Sequence, residues 1–343
     1  MTDSTEYYKD HSKKYQSEAK QLYLKMTAFS VYRLAVFLLS IIAVYYTFYI
    51  WALALFIAVI GIAVFLILLS KHTNIKREYD LKNTLVAINE DEIAIASGNF
   101  HDRDSGLLFQ DPNHFYSLDI DLFGRGSFFQ FINRTTIHEG TQKLADILNA
   151  NDTKNIVLRQ QAIKELSKKP EWRQFYSATS KLVSVETSAK HIINWLQHYK
   201  PFLPPIMQWV PLVFVLLTVL IMGLAAFNLI NVVLVGYWLL VGLGITGTYL
   251  TKINVLAVNT GKVRDTFRQY ATLLDLIECE TFSSEILQQK QKKIQSEHKK
   301  ASLIFKAFSK SLDALDNRNN LIGAIFGNGY FLTDLKYSYA IEQ

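Results

Sequence analysis

The fold is decided by the stretch Leu34–Ser70, which reads LAVFLLSIIAVYYTFYIWALALFIAVIGIAVFLILLS and contains no Asp, Glu, Lys or Arg. As one helix its 37 residues would extend about 55 Å, whereas a hydrocarbon core of about 30 Å needs only about 20 residues per crossing. The stretch therefore predicts two membrane-spanning helices joined by a tight turn near Thr47–Trp51. Aromatic residues are concentrated at this turn, as they are at membrane interfaces.

A second uncharged run, Pro201–Thr251, has 51 residues. Its length predicts two further spans, near Trp209–Phe227 and Val232–Leu250, with Asn228 and Asn231 at the bend between them. A signal peptide is a poor interpretation of the first run, because that run is too long and starts more than 30 residues into the chain. We therefore expect four transmembrane helices arranged as two hairpins.

The distribution of basic residues predicts the orientation of the hairpins. Both hairpin tips lack Lys and Arg, whereas basic residues flank the two runs at Arg33, Lys71, Lys76, Arg77, Lys200 and Lys252. Basic flanks stay on the cytoplasmic side of a membrane. We therefore expect a multi-pass protein with both termini in the cytoplasm.

Composition excludes several classes of protein. The chain has 343 residues and a mass of 39.3 kDa, and only 19% of its residues are charged, against about 25% in soluble domains. A fully soluble, disordered or collagen-like protein is therefore not expected. The one cysteine, Cys279, has no intramolecular disulfide partner, and we expect it to be a small buried apolar residue.

The polar segments show mostly helical periods, so the predicted fold class is all-α. Apolar residues recur every three or four positions at Val263, Phe267, Tyr270, Leu274 and Ile277. Near the N-terminus, Tyr8, Tyr15 and Leu22 are seven residues apart, which predicts that this segment pairs with another helix.

Local signals predict the structure between residues 118 and 148. Leu118–Leu122 alternates apolar and polar residues, like a short strand. Ser127 is expected to cap a short helix that runs through Ile132. Thr136 and Glu139 have the spacing of a capping box, which predicts a helix that opens at Thr136.

The sequence contains one nucleotide-binding pattern, but its context favours another role. Gly242–Gly247 matches G-x-G-x-x-G inside an apolar run far longer than the strand that a dinucleotide site requires. We interpret these glycines as small residues that let membrane helices approach closely. No G-x-x-x-x-G-K-[ST] motif is present in the sequence. Turn or close-packing roles are also expected for Gly323, Gly327 and Gly329.

Potential metal ligands lie close together at His101–Asp104 and between Asp111 and Asp121. Neither group has the spacing of a zinc site. His138-Glu139 begins an H-E-x-x-H pattern, but Gln142 stands where the second His is needed. We therefore interpret these segments as polar loops and expect no metal site.

A lysine-rich stretch is the strongest charge feature. Residues 252–310 carry a net charge of +5, of a total of +6. The candidate contacts to phosphate or lipid are Lys290, Lys292, Lys293, Lys299 and Lys300. A solvated helix face, a lipid surface and a nucleic acid are three interpretations that the residues leave open. The predicted spans contain no charged residue, which argues against a proton-coupled transporter.

The segment Asp119–Thr136 resembles the start of the core (lever) domain of the MutS mismatch-repair family. In that family a short helix ends in Asn-Arg-Thr and leads into a helix with an early glycine; the matching residues here are Asn133, Arg134, Thr135 and Gly140. Leu158–Leu166 and Ala301–Leu335 are similar to later helices of the lever. The whole layout resembles membrane-bound MutS-like proteins of bacteria and covers residues 71–343.

This resemblance implies a bacterial inner-membrane protein, homodimeric, with a helical lever module and a family link to ATP and mismatched DNA. The family's ATPase module, which would bring ATP and Mg²⁺, is absent from this sequence, and so is its Phe-x-Glu mismatch-reading motif. We therefore expect no catalytic, cofactor-binding or metal residues in this chain. The expected partners are the lipid bilayer, a second copy, a separate ATPase module and, as an open alternative, a nucleic acid.

The expected organisation follows the charge pattern. It comprises an N-terminal cytoplasmic helix (1–33), a first hairpin (34–70), a cytoplasmic module (71–200) whose start at 118–200 is MutS core-like, a second hairpin (201–251) and lever-like helices (252–343) leading toward the missing ATPase module. The expected function is to couple that module to the membrane helices. The alternative is a membrane scaffold or small channel unrelated to nucleic acid.

Overall fold

A computed structural model of the chain describes residues 2–150, 152–182, 194, 197–295, 301–316 and 321–343. Within these ranges no β-strand occurs, and the all-α class is confirmed. The helices are α1 (Thr2–Thr47), α2 (Trp51–Ala96), α3 (Phe128–Ile132), α4 (His138–Asn149), α5 (Ile156–Ser167), α6 (Pro170–Lys181), α7 (Val210–Ala226), α8 (Val233–Glu278), α9 (Glu285–Ile294), α10 (Ala301–Asp316), α11 (Leu321–Phe331) and α12 (Thr333–Glu342). Short 3-10 turns lie at Leu107–Phe109 and Pro205–Gln208.

The helices form two compact units. The first unit comprises Met1–Thr153 and Lys169–Leu182, and the second comprises Lys154–Lys168 and Val183–Gln343. The MutS-like segment 119–136 therefore belongs to the first unit. The lysine-rich helix α9 belongs to the second unit.

The first unit is built on a long helical hairpin. The turn between α1 and α2 lies where the sequence predicts it, because the amide of Ile50 donates to the carbonyl of Thr47 over 2.8 Å. Each helix has 46 residues and therefore continues well beyond the uncharged run. The predicted boundaries near residues 33 and 70 are changes of composition within continuous helices, not helix ends.

Away from the apolar run, α1 and α2 pack together with α6. Tyr15, Leu85, Ile88 and Ala178 form a buried cluster there. The predicted pairing of the N-terminal segment with another helix is therefore confirmed at Tyr15. In contrast, most large apolar side chains of Leu34–Ser70 are exposed, as expected for a surface that faces lipid.

The loop after α2 leads to a small aromatic core. Leu122, Phe123 and Phe129 are buried there with Ala145 of α4. The hydroxyl of Ser127 accepts a hydrogen bond from the amide of Gln130, so the predicted cap of α3 is confirmed.

The strand expected at Leu118–Leu122 is wrong. The segment is a series of turns, in which the carbonyl of Ser117 accepts from the amide of Leu122 and Asp121 has a φ of +47°. These local hydrogen bonds occupy the backbone groups that a strand would offer to a neighbour. The apolar residues consequently point in different directions, with Leu118 exposed and Leu122 buried.

The capping box expected at Thr136 and Glu139 is also wrong. The helix α4 begins at His138, and Ile137 is its N-cap residue without a side-chain cap. The hydroxyl of Thr136 instead contacts the hydroxyl of Ser180 on α6. A tertiary contact has therefore displaced the local capping interaction.

The second unit contains a second apolar hairpin, formed by α7 and α8. Its bend lies where the sequence predicts it: Asn228 has a φ of +56°, and the side chain of Asn231 accepts from the amide of Val233 over 2.9 Å. Beyond the hairpin, α8 continues without a break to Glu278. Its polar half packs against α10.

After α10 the chain returns to the second hairpin. Helix α11 packs against both α7 and α8, and α12 runs back beside α8 after a left-handed residue, Leu332. Leu332 and Leu335 are fully buried in a core that includes Ile253 and Leu256 of α8. These return helices were not foreseen as part of the hairpin.

The expected close approach at the glycines is confirmed for Gly242 in the first group and for Gly327 and Gly329 in the second. A methyl group at Gly242 of α8 would overlap the carbonyl of Gly329 on α11. One at Gly329 would lie 2.6 Å from the Cγ of Leu239. By contrast, a methyl group at Gly244 or Gly247 would meet open space.

In the described part of the chain, three helices are long and apolar enough to cross a membrane, within Thr5–Thr47, Leu53–Ala96 and Val233–Thr260. The apolar helix α7 is shorter, at 17 residues. Three such helices are compatible with a multi-pass membrane protein.

Candidate functional site

The first unit contains a cleft of about 270 Å³, lined by the ends of α1 and α2, the loop before α4, and α6. We call it the polar cleft. Four basic and two acidic side chains line it: Arg103, Arg134, Arg173, Lys181, Asp91 and Glu92. Its aromatic residues are Tyr8, Trp172 and Tyr176. The resulting net positive charge suits an anionic partner.

The Asn-Arg-Thr motif forms one wall of the polar cleft. The side-chain oxygen of Asn133 accepts from the amide of Thr135 over 2.9 Å and from its hydroxyl over 2.6 Å. The Thr135 hydroxyl also lies 2.7 Å from that of Thr141 in α4. The motif therefore fixes the turn between α3 and α4, a structural role.

The central residue of the motif joins this turn to α2. Arg134 donates to both carboxylate oxygens of Glu92, through Nε at 2.6 Å and through a terminal nitrogen at 3.0 Å. The guanidinium also donates to the carbonyl of Phe131 over 2.6 Å. A bidentate arginine–carboxylate pair fixes orientation as well as distance.

The fourth family-like residue, Gly140, has no steric reason to be a glycine. A methyl group there would lie 3.5 Å from side-chain atoms of Thr135 and Ile137, which is ordinary van der Waals contact. An alanine would fit at this position. The resemblance at Gly140 is therefore one of sequence, without a geometric requirement in this fold.

A second acidic residue of α2 organises the other side of the polar cleft. Asp91 lies 3.5 Å from Arg103 and 3.7 Å from Lys181. Arg103 also donates to the backbone carbonyl of Asn133 over 2.7 Å. Its Nε is buried without a hydrogen-bond partner in the described part of the chain.

Beneath these ion pairs, a buried amide pair fixes α6 against α2. The amide group of Gln174 donates to the Asn89 side chain over 2.9 Å, and that of Asn89 lies 3.3 Å from the Gln174 oxygen. Asn89 is fully buried. Burial also raises the pKa of Tyr176, so this phenol remains neutral at physiological pH.

The polar cleft offers side chains that can bind and orient an anionic partner. Its described lining contains hydroxyl groups from Thr135, Thr136 and Ser177 but no His or Cys that could activate them. Across the described residues, no group of three or more His, Cys, Asp or Glu side chains is placed to hold a metal ion.

The loop residues considered as metal ligands have local roles instead. The ring of His114 lies 2.9 Å from the carbonyl of Asn149 and accepts from the amide of Ser117 over 3.2 Å. The carboxylates of Asp104 and Asp111 accept backbone amides two residues further on. These are turn-stabilising interactions.

The lysine-rich segment lies in the second unit. Lys290, Lys292 and Lys293 are exposed on α9, whereas Lys299 and Lys300 lie outside the described residues. Helix α9 is held by Glu165 of α5, whose carboxylate accepts the amides of Ser283 and Ser284 over 2.8 and 2.7 Å. The prediction that these lysines contact phosphate or lipid stays a prediction.

Cys279 is exposed at the end of α8, contrary to the expectation of a buried residue. Its sulfur lies 3.8 Å from the carboxylate of Asp275, one turn earlier. The helix ends there and leaves the side chain open to solvent.

Sequence reasoning found Arg134 and Thr135 but missed their partners. Glu92 is 42 residues away from Arg134, on a helix with no motif of its own. The acidic run Glu90–Glu92 at the end of α2 was the available signal, because adjacent carboxylates repel one another and attract nearby cations.

Comparisons of this chain with protein-family models, with curated proteins and with solved structures found no match.

Proposed function

We propose that this chain is a membrane-anchored, MutS-related coupling protein of the bacterial inner membrane. One observation supports it above the others: α1, α2 and α8 each continue without a break from an apolar run into a polar module. A continuous helix transmits displacement between its two ends. The polar modules and the membrane segments are therefore mechanically joined.

In this proposal α7 is the fourth span. Its 17 residues have the minimum length for crossing a hydrocarbon core, and the turn at Pro205–Gln208 together with Trp209 extends it toward the interface. The basic residues that flank both hairpins support a cytoplasmic position for the polar modules and both termini in this proposal.

The lever-like part of the proposal is the pair α8–α10. The buried carboxylate of Glu278 accepts the amide of Ser302 over 3.1 Å and its hydroxyl over 2.6 Å. Arg268 forms an ion pair with Asp313 at the other end of α10. With both ends of α10 attached to α8, a force applied to α10 would move the span.

The family-like motif supports a similar linkage in the first unit. Arg134 attaches the MutS-like segment to Glu92, and Glu92 lies on the helix that continues into the first hairpin. In the proposed mechanism, nucleotide-driven motion of a separate ATPase module, with its own ATP and Mg²⁺, displaces these helices. This chain itself contributes no catalytic residue.

The proposal is tested by supplying the ATPase activity. The full chain would be reconstituted in nanodiscs with a MutS-family ATPase module fused after Gln343, and hydrogen exchange over 263–316 measured with and without ATP. ATP is expected to change the protection of α8 and α10. A module with its P-loop lysine replaced is the control. Unchanged exchange in the active fusion would contradict the coupling proposal.

A nucleic-acid role is the second part of the proposal and depends on the exposed lysines of α9. The triple variant Lys290→Gln, Lys292→Gln, Lys293→Gln should weaken binding of the full chain to mismatched DNA and reduce its salt dependence. The variant Lys310→Gln is the control. If the wild-type chain binds anionic vesicles but not DNA, the scaffold or channel alternative is favoured.

A further inference from the structure

A second cleft, of about 630 Å³, lies where the second hairpin leaves its uncharged run. We call it the lysine cleft. Lys200, Phe202, Lys252 and Val255 line it, together with His198 and Asn259. No acidic side chain is among the described residues that line it. It is therefore a cationic recess at the border between apolar and polar sequence.

The walls of the lysine cleft are fixed by the rest of the second unit. The carboxylate of Glu342 accepts the amides of Phe202 and Leu203 over 3.0 and 3.1 Å, and the hydroxyl of Tyr199 over 2.7 Å. On the other wall, Ile253 is fully buried in the core. The backbone that carries both lysines is thus held in place before any ligand binds.

The side chains of the cleft are both cationic and apolar. The ammonium group of Lys252 lies 5.8 Å from the centroid of the Phe202 ring, which limits its conformational freedom. Val255 is exposed next to it, on the same helix. A ligand that suits this surface has a negative headgroup and an apolar part.

We propose that the lysine cleft binds an anionic phospholipid. The phosphate group would lie between Lys200 and Lys252, and an acyl chain would lie along Phe202 and Val255. Basic pockets between membrane helices bind such headgroups because the charges stand at the level of the lipid phosphates. Two lysines beside an apolar surface match one lipid phosphate better than the extended row of cations that a nucleic-acid backbone requires.

The inference requires the second hairpin to lie in a bilayer, but it does not depend on coupling to an ATPase. The test uses the purified full chain in neutral detergent, with bound phosphatidylglycerol counted by native mass spectrometry. The double variant Lys200→Gln, Lys252→Gln should bind this lipid roughly thirtyfold more weakly than wild type, if each lysine contributes about as much as a basic residue near an anionic surface.

Two controls make the result specific. The double variant Lys306→Gln, Lys310→Gln removes the same charge from exposed positions of α10 and should bind the lipid like wild type. Phosphatidylcholine should bind equally weakly to all three proteins. The thermal unfolding midpoint of each variant in detergent shows that the fold is retained.

The outcomes separate the alternatives. Retained phosphatidylglycerol binding by Lys200→Gln, Lys252→Gln would overturn the proposal. Displacement of the lipid by soluble glycerol phosphate at equal concentration would overturn it too, because the site would then take free phosphate. If the purified chain is monodisperse without detergent, its hairpins do not lie in a bilayer. That result would contradict both the lipid site and the proposed function. If ATP does not change the hydrogen exchange of α8 and α10, the coupling proposal is contradicted but the lipid site is not.

Discussion

In the first hairpin, α1 and α2 leave most of the apolar side chains of Leu34–Ser70 exposed, whereas in the second hairpin α7 and α8 are packed by α11 and α12. Phe214 and Thr218 of α7 are buried, and Thr246 of α8 is buried as well. Apolar sequence alone does not hold helices together in lipid, because lipid tails are as apolar as leucine. The second hairpin gains its association from close contact and internal hydrogen bonds.

This difference in packing is consistent with different roles for the two hairpins in the proposed function. The first is a pair of long helices with a large exposed apolar surface, which in the proposed function anchors the chain in the membrane. The second is a packed bundle in which Gly242 touches Gly329 and Thr218 bonds to two other helices. A force that reaches the second bundle is shared among several helices.

The largest effect is expected from Gly242→Leu. The added side chain would overlap the backbone carbonyl of Gly329, which cannot rotate away, so the return helix α11 would be displaced. Overpacking of this kind costs about 1–3 kcal/mol and occasionally more. We expect a lower unfolding midpoint in detergent and increased proteolysis of 321–343.

The matched control is Gly244→Leu, which adds the same side chain to the same helix where nothing lies within 4 Å. It should leave the unfolding midpoint close to that of wild type. Equal destabilisation by the two variants would mean that the close approach of Gly242 to α11 is not what holds the second hairpin together.

A smaller loss is expected from Thr218→Val. The Thr218 hydroxyl lies 2.9 Å from the carbonyl of Tyr330 in α11 and accepts the indole N–H of Trp238 in α8 over 2.8 Å. Valine keeps the shape but leaves both groups without this partner, at a cost of about 1–2 kcal/mol. Thermal unfolding in detergent measures the loss.

The control for this variant is Thr248→Val. The Thr248 hydroxyl is exposed and donates within its own helix, to the carbonyl of Ile245. Its removal should change the midpoint by much less. A similar shift in both variants would show that the loss comes from replacing any threonine in these helices, and that the hydrogen bonds of Thr218 to α8 and α11 add no stability of their own.

The sequence predicts the two helical turns near Thr47–Trp51 and Asn228–Asn231, because each uncharged run is longer than one bilayer crossing requires. It does not predict that α11 and α12 pack against the second hairpin. Helix α11 has only 11 residues, too few for a span, and its glycines resemble a turn. This helix packs against the small surface at Gly242 of α8. Shape complementarity between distant helices produces no periodic pattern in the sequence.

The polar cleft, likewise, could be predicted from the sequence only where its contacts are local. The motif Asn133–Thr135 is visible locally, since its hydrogen bonds join residues two apart. The buried pair Asn89 and Gln174 joins residues 85 apart, and nothing in either local sequence signals the other. The capping box at Thr136 failed for a related reason, because a tertiary partner replaced the local one.

Arg134→Lys tests whether the ion pair with Glu92 stabilises the first unit, as hydrogen bonds and close contacts stabilise the second hairpin. A lysine keeps the charge but loses the bidentate geometry with Glu92. Because both side chains are partly exposed, the expected cost is only about 1 kcal/mol. The measurement is proteolysis of 128–149 in the full chain.

Arg125→Lys is the reference substitution, because Arg125 is exposed in the turn before α3. It should leave proteolysis unchanged. If Arg134→Lys also leaves it unchanged, the family-like motif is not what attaches this segment to α2, and the proposed linkage through Glu92 loses its support.

The smallest effect is expected for the pH dependence of the contact between Glu165 of α5 and the start of α9. Burial alone would raise the pKa of Glu165, but the amides of Ser283 and Ser284 donate to its carboxylate and lower the pKa to about 2. A carboxyl whose folded pKa is depressed contributes stability that is complete above its unfolded pKa, near 4.5, and is lost as the pH falls toward 2.

Protection of the two serine amides from hydrogen exchange should fall as the pH is lowered from 4.5 to 2 in wild type, whereas in Glu165→Gln it should not change over this range. The variant Glu285→Gln, whose carboxylate accepts from Gln289 and not from these amides, should keep the wild-type profile. If Glu165→Gln follows that profile as well, the start of α9 is held by helix packing alone, and the exposed lysines it carries are positioned without help from α5.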